Sequence, residues 1–315
     1  MKGQDESENR TVALVGAGRV ARGLGALLRE AGWKIGPVVA REMASARGAV
    51  RAIGGGTPCA GLTRRVLDAG VILLAVPDDA LAGVAAQLEG AAGEELAGKV
   101  VVHTSGALTA AALDPLARGG AWTGVMHPMQ TFGARARPKL DGVLFGIEGH
   151  PQALRLIRKM VRSLGGEAAR VRADRKAEYH CAGTFAAAHV LAAMEAAVQL
   201  LLAAGLKRRE ATRALLQLTR QVLENQELLG PRAAWTGPLS RGDFATIRLH
   251  WEALAGFPEE FREAYAGMTR LSARVLALDP DALLARLAGE LPAEDTEDRA
   301  IAAREVRAAA MRSGQ

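Results

Sequence analysis

The chain has 315 residues, 49% of them hydrophobic and 23% charged, a size at which two domains are the natural expectation and each can bury a core of its own. Its net charge of +6 at pH 7 comes mostly from arginines scattered along the chain, which argues against a nucleic-acid stripe and leaves a diffuse positive field suited to a small anionic ligand or simply to solubility. The two cysteines, Cys59 and Cys181, lie far apart, so neither a disulfide framework nor a metal centre is expected, and a cytoplasmic, reducing compartment is.

Residues 1–9 are polar and acidic where a signal peptide needs a basic start and an apolar stretch, and read as a short disordered tail. From residue 10 to 172 short apolar runs alternate with helical stretches, the pattern of βαβ units building a parallel sheet covered on both faces. The strands are expected at Val12–Val15, Pro37–Ala40, Val71–Val76, Val100–His103, Gly124–Met126, Leu144–Ile147 and Ala169–Arg172. Helices follow the first, third and fourth, and another runs from about Pro151 to Leu164 before Gly165-Gly166. After Asp174 only helical periodicity remains, over Lys176–Ala204, Arg208–Leu229, Asp243–Leu254, Pro258–Leu276 and Pro280–Leu287, so 173–289 is an all-helical domain. Residues 290–315, with a helix over Thr296–Arg312, form a charged helical tail. The fold class is therefore α/β, a doubly wound and mostly parallel Rossmann sheet followed by an all-α domain. Thr184 to Leu206 is long enough to span a bilayer, but His189, Glu195 and Gln199 interrupt it and alanine dominates, which reads as a packed central helix and not a membrane segment.

The stretch Val12-Ala-Leu-Val-Gly16-Ala-Gly18-Arg19-Val20-Ala21 places GxGxxA between a strand and a helix. Gly16 permits the tight turn, Gly18 lets backbone approach a pyrophosphate, and Ala21 allows close helix-to-strand packing, while the helix N-terminus offers N–H donors. The alternative is a glycine-rich turn that binds nothing. Arg41, just past the second strand, replaces the acid that usually takes the ribose hydroxyls and suits the extra phosphate of NADP; Glu42 beside it weakens the case, and a solvated arginine is the other reading. Ala75, Val76 and Pro77 end a buried strand on the cofactor edge, and Asp78 either joins them or caps the next helix.

Two loops on that edge carry candidate chemistry. In His103-Thr104-Ser105-Gly106, Ser105 and Thr104 can bond a carboxamide or carboxylate, whereas His103 ends its strand; His127, opening His127-Pro-Met-Gln130, is read equally as functional or structural. The helical domain opens with Lys176-Ala-Glu-Tyr179-His180, where Lys176 and His180 share a helix face and either could donate the proton that hydride transfer to C=O or C=N requires; a solvated pair is the plain alternative. In Trp235-Thr-Gly-Pro238-Leu-Ser-Arg241-Gly-Asp243, Arg241 suits a carboxylate, and Asp243 is a substrate contact or a helix cap.

These motifs resemble a bacterial family of Rossmann-like proteins with a C-terminal domain of unknown function, similar to deazaflavin-dependent NADP oxidoreductases. The matching pieces are the Gly16-Ala-Gly18 loop, His103-Thr-Ser-Gly106, His127-Pro128, Lys176 with Tyr179-His180, and Thr236-Gly-Pro238 through Arg241-Gly-Asp243. The wider kin are the 6-phosphogluconate and β-hydroxyacid dehydrogenases, the pyrroline-carboxylate reductases and the ketopantoate reductases. The resemblance implies a helical domain that dimerises and completes the active site at the domain cleft, with Lys176 as proton donor and His180 beside it. Relatives tend to carry an asparagine about two turns after the Tyr-His pair, and Ala186-Ala-Ala-His189 offers no amide there.

The expectation is thus an NADP(H)-dependent reductase, with NAD(H) the lesser cofactor, acting as a homodimer on a small anionic ketone or imine such as a 2-keto acid or a ketopantoate-like compound. A sensor or scaffold that binds NADP(H) without turnover is the competing class. Hydride exchange with a deazaflavin is a third reading.

Overall fold

A computed structural model describes residues 10–133 and 138–291; the expected disordered tail over 1–9 and the charged helix over 296–312 lie outside the described residues. The chain divides into two compact units, residues 1–190 and 191–315.

The first unit is built on one eight-stranded sheet. Its strands are β1 (Thr11–Val15), β2 (Lys34–Ala40), β3 (Thr57–Ala60), β4 (Val71–Leu74), β5 (Val100–His103), β6 (Trp122–Pro128), β7 (Leu144–Gly149) and β8 (Glu167–Arg170). Their order is β3-β2-β1-β4-β5-β6-β7-β8. All neighbours are parallel except β6 and β7, so the chain reverses order at β1/β4 and keeps the carboxyl ends of β1, β4, β5 and β6 on one edge. The helices α1 (Arg19–Glu30), α2 (Met43–Ile53), α3 (Asp78–Ala92), α4 (Asp114–Arg118) and α5 (Pro151–Ser163) accompany them.

Why these strands read as continuous apolar runs is visible in their packing. Val12 and Leu14 belong to one core cluster, with Leu24 and Leu28 of α1, Ile53 of α2 and Ile157 of α5. Ala13 and Val15, between them, belong to a second cluster with Leu81, Ala85 and Leu88 of α3. Successive residues of a strand face opposite sides, so a strand covered on both faces has no polar position to offer.

In the first unit one strand and one α-helix escaped the sequence reading. β3 is four residues long at the sheet edge, contains Pro58 and buries only Cys59, so it carries no apolar run. Helix α2, rich in Ala, Gly and Arg, buries Ala46, Ala49 and Ile53, a sound helical stripe made of residues too small to stand out.

Helix α6 (Lys176–Thr184) follows, and one π-helical turn over Phe185–His189 leads into α7 (Val190–Ala203). The second unit continues with α8 (Arg208–Leu229), α9 (Pro231–Ala234), α10 (Phe244–Ala253), α11 (Glu259–Leu276) and α12 (Pro280–Leu287). Its core is small, centred on Leu239, Ile247, Ala266, Ala273, Leu287 and Leu291. The stretch 173–203 is long and apolar enough to cross a membrane, and only 6% of its most apolar window is buried within the chain. The packing expected for that helix is therefore not supplied by the described residues.

Candidate active site

The turn from β1 into α1 is shaped by two glycines with different tasks. Gly16 has φ +118°, donates its amide to the Val39 carbonyl at 2.9 Å, and would place a Cβ 2.2 Å from the Ala75 carbonyl oxygen. Only glycine lets β1 turn so close to the end of β4. Gly18, the N-cap of α1, has an ordinary φ of −74°, and a Cβ there meets no atom within 4 Å. What Gly18 provides is open space in front of a helix end.

No side chain caps α1 and no acidic residue occupies its first turn, so the first N–H groups, at Arg19, Val20 and Ala21, and the positive end of the helix dipole face that space unopposed. Ala21 itself is fully buried, as close helix-to-sheet packing requires. These residues fit a dinucleotide pyrophosphate. Arg41 is exposed immediately after β2 and makes no ion pair among the described residues, so its guanidinium is available to a phosphate. Glu42 is the N-cap of α2 without a side-chain bond to it.

The loops after β4 and β5 interlock. Ala75 is buried, Val76 half-buried and Pro77 exposed; Asp78 then opens α3 and accepts from Ser105 Oγ at 2.8 Å. Ser105 Oγ also accepts from the amides of Ala107 and Leu108, at 3.2 and 2.9 Å. A hydroxyl has one proton and two lone pairs, so this one is fully engaged in closing the loop and is not a free donor for substrate. Thr104 is half-buried, and its amide donates to the Leu74 carbonyl at 3.2 Å, joining the ends of β4 and β5. His103 is fully buried, with Nε2 at 3.0 Å from the Thr109 carbonyl and Nδ1 accepting from the Ser105 amide. Burial, with the Lys176 charge adding to it, pushes its pKa down to about 4, which fixes a neutral, structural ring.

Lys176, His127, Tyr179 and His180 converge beside that loop. Lys176 is 2% exposed although it opens a helix, because its side chain reaches back to donate to the Ser105 carbonyl at 3.3 Å. Its Nζ also lies 5.4 Å from the Tyr179 ring centre. Burial lowers its pKa from the usual lysine value, and the charges of Glu148 and Asp78 oppose that shift. His127, at the end of β6, is within 2.9 Å of the Tyr179 hydroxyl through Nδ1, and its ring stands edge-on to those of Tyr179 and His180, with centres 5.4 and 5.8 Å apart. Gly106 makes the gathering possible: a Cβ there would lie 2.4 Å from His180 Cδ2 and 2.8 Å from His127 Nε2.

Residues 2–128 match a Rossmann-like domain family, and residues 143–272 match a domain of unknown function, DUF2520. The chain is a Rossmann-like protein with a DUF2520 domain. Together the two matches take in both the glycine turn and the cluster around Lys176. No curated protein matches the chain. Solved structures share its fold. A Bacteroides fragilis protein provisionally described as an NADP oxidoreductase is 23% identical, with a TM-score of 0.69 over 84% of this chain and 98% of its own. A Streptomyces aurantiacus imine reductase is 18% identical, with a TM-score of 0.62 over 88% and 99%. An Aspergillus terreus reductive aminase, solved with NADPH and ethyl-5-oxohexanoate, is 15% identical, with a TM-score of 0.63 over 84% and 94%.

In the second unit, Arg241 is exposed at the end of a short 3-10 turn over Leu239–Arg241. Asp243, expected as a substrate contact or a cap, caps α10: its two oxygens accept from the Thr246 amide at 3.1 Å and hydroxyl at 2.8 Å. The π-helical turn occupies Phe185–His189. Three participants were not assigned roles from sequence. Gly106 and Tyr179 sat inside noted motifs without a role, and Glu148, which accepts from the Ala110 amide at 3.0 Å and faces Lys176 electrostatically, lay in no motif at all.

Proposed function

We propose that the protein is an NADP(H)-dependent oxidoreductase that reduces a small anionic ketone or imine, with 2-keto acids and ketopantoate-like compounds the first to try. The observation that carries this reading is Lys176. A buried ammonium is expensive to desolvate, and this one has a single carbonyl partner at 3.3 Å, on the sheet edge where doubly wound folds bind their ligands. A cation kept there serves chemistry better than stability.

A bound reduced nicotinamide supplies the hydride. When a carbonyl or imine carbon accepts it, the C=O or C=N electron pair moves to the heteroatom, and Lys176 Nζ is the group on this chain that can give it a proton, becoming a neutral amine that solvent recharges. Gly16, Gly18 and the α1 amides hold the pyrophosphate and Arg41 the adenosine phosphate. The fold shared with an imine reductase and with a reductive aminase solved with NADPH supports the same reading. The chain acts as a homodimer, through the helices whose apolar faces it leaves uncovered.

The test is a cofactor-consumption screen over keto acids and imines, run with NADPH and NADH in parallel, on the natural protein and on Lys176→Ala. Turnover with NADPH that falls at least about a hundredfold in the variant, with NADPH affinity unchanged, is the expected result. Binding without turnover of any substrate would make the protein a nucleotide sensor instead.

A further inference from the structure

The reductase reading leaves open how His127 takes part, and the surroundings of its two ring nitrogens differ. Nδ1 faces the Tyr179 hydroxyl at 2.9 Å. The phenol oxygen has a second acceptor within reach, the His127 carbonyl at 3.3 Å. Nδ1 is the nearer of the two acceptors, and the hydroxyl proton goes to it. The ring's own proton is then left on Nε2.

Nε2 points the other way, toward Gly106, where a Cβ would come within 2.8 Å of it. It has no hydrogen-bond partner among the described residues, and no buried side-chain nitrogen or oxygen among them is left orphaned, so this nitrogen is open to a ligand. Tyr179 can hold its position only because β7 carries glycine: a Cβ on Gly146 would lie 2.5 Å from the phenol oxygen. One glycine in the loop after β5 and one on β7 thus make room for one phenol and two imidazoles.

We propose that Tyr179 is a positioning residue that locks His127 as the neutral Nε2–H tautomer, aimed as a hydrogen-bond donor at the substrate heteroatom. The inference rests on the reductase reading for its last clause only. The groups facing His127 agree with a neutral ring: Lys176 and His180 on α6 and His103 on β5 disfavour a second proton, Asp78 on α3 favours one, and burial, the largest influence, disfavours it, so the pKa falls to about 4. A neutral imidazole polarises a carbonyl without competing for the proton, since giving up its own would leave an imidazolate. The proton source is therefore Lys176, and His127 stabilises the developing charge.

Long-range nitrogen-proton correlation spectra of the histidine rings test this without knowledge of the substrate. In the natural protein His127 shows the Nε2–H pattern at pH 7 and titrates below pH 5; in Tyr179→Phe the tautomer preference is lost. With a substrate from the screen, Tyr179→Phe lowers kcat about tenfold or more and leaves KM and NADPH affinity close to unchanged. An Nδ1–H pattern in the natural protein, or a Tyr179→Phe variant with the tautomer unaltered, overturns the assignment. Should Tyr179→Phe not fold, the tautomer of the natural protein decides alone. A locked tautomer in a protein that turns over no ketone or imine removes the reductase reading and the donor role, and leaves the positioning of the ring by Tyr179 standing.

Discussion

His103 and His127 are neutral for a shared reason, and that reason has a thermodynamic consequence. Both have their pKa pushed from 6.5 down to about 4, so between those values the unfolded chain binds more protons than the folded one, and stability rises with pH. Their contribution is complete above about pH 6.5 and is lost as pH falls toward 4. The loss is on the order of 2–3 kcal/mol at fully buried His103 and smaller at half-buried His127. Lys176, also lowered by burial, acts in the same direction at higher pH. Urea midpoints measured at pH 7.5, 6 and 4.5 are expected to fall in that order, with His103→Gln flattening the acid limb; a midpoint independent of pH over that range would contradict the placement of these rings. The sequence already showed Ser105 and His127 as candidates because they follow core strands, and Lys176 and His180 because they share one helix face a turn apart. It did not show that Ser105 is tied to Asp78, or that Gly106 and Gly146 make the space, since those facts depend on residues 21–74 positions apart meeting across the loops.

At the level of elements, the opening of α1 separates fold from function cleanly. Gly18 lies in the extended conformation of an ordinary N-cap with free space before it, and aspartate is among the best N-cap residues. Gly18→Asp is therefore expected to keep or slightly raise the melting temperature, by up to about 1 kcal/mol in stability, while weakening NADPH binding at least about tenfold, because a carboxylate then occupies the space and charge meant for a pyrophosphate. Calorimetric melting and a binding titration on the same variant read both; unchanged NADPH affinity would sink the assignment of that helix end. The strands around it were readable from sequence because burial on both faces keeps polar residues to their first positions, Thr11 and Lys34. β3 and α2 were not, because an edge strand of four residues and an alanine stripe are held by their neighbours more than by their own composition. The shift of β8 to Glu167–Arg170, two residues earlier than expected, has a similar origin: its residues are small or charged and its register is set by pairing with β7.

For the molecule as a whole, the second unit has more apolar surface than its core employs. Leu191, Leu218, Leu223, Leu228 and Leu229 are each more than half exposed, on helices α7 and α8. Contiguous apolar faces of this kind mark association surfaces, and the polar interruptions at His189, Glu195 and Gln199 favour a second copy over lipid. Light scattering at micromolar concentration is expected to give twice the 33.0 kDa chain mass, and a persistent monomer would contradict it.

Everything assigned to the cluster around Lys176 presumes a nicotinamide nucleotide anchored at the β1–α1 turn, so calorimetric titration of the purified protein with NADPH and NADH is the most direct trial. Saturable binding of one NADPH per chain, tighter than NADH and losing that advantage in Arg41→Ala, is the expected result. No heat of binding with either nucleotide would contradict the account at its base.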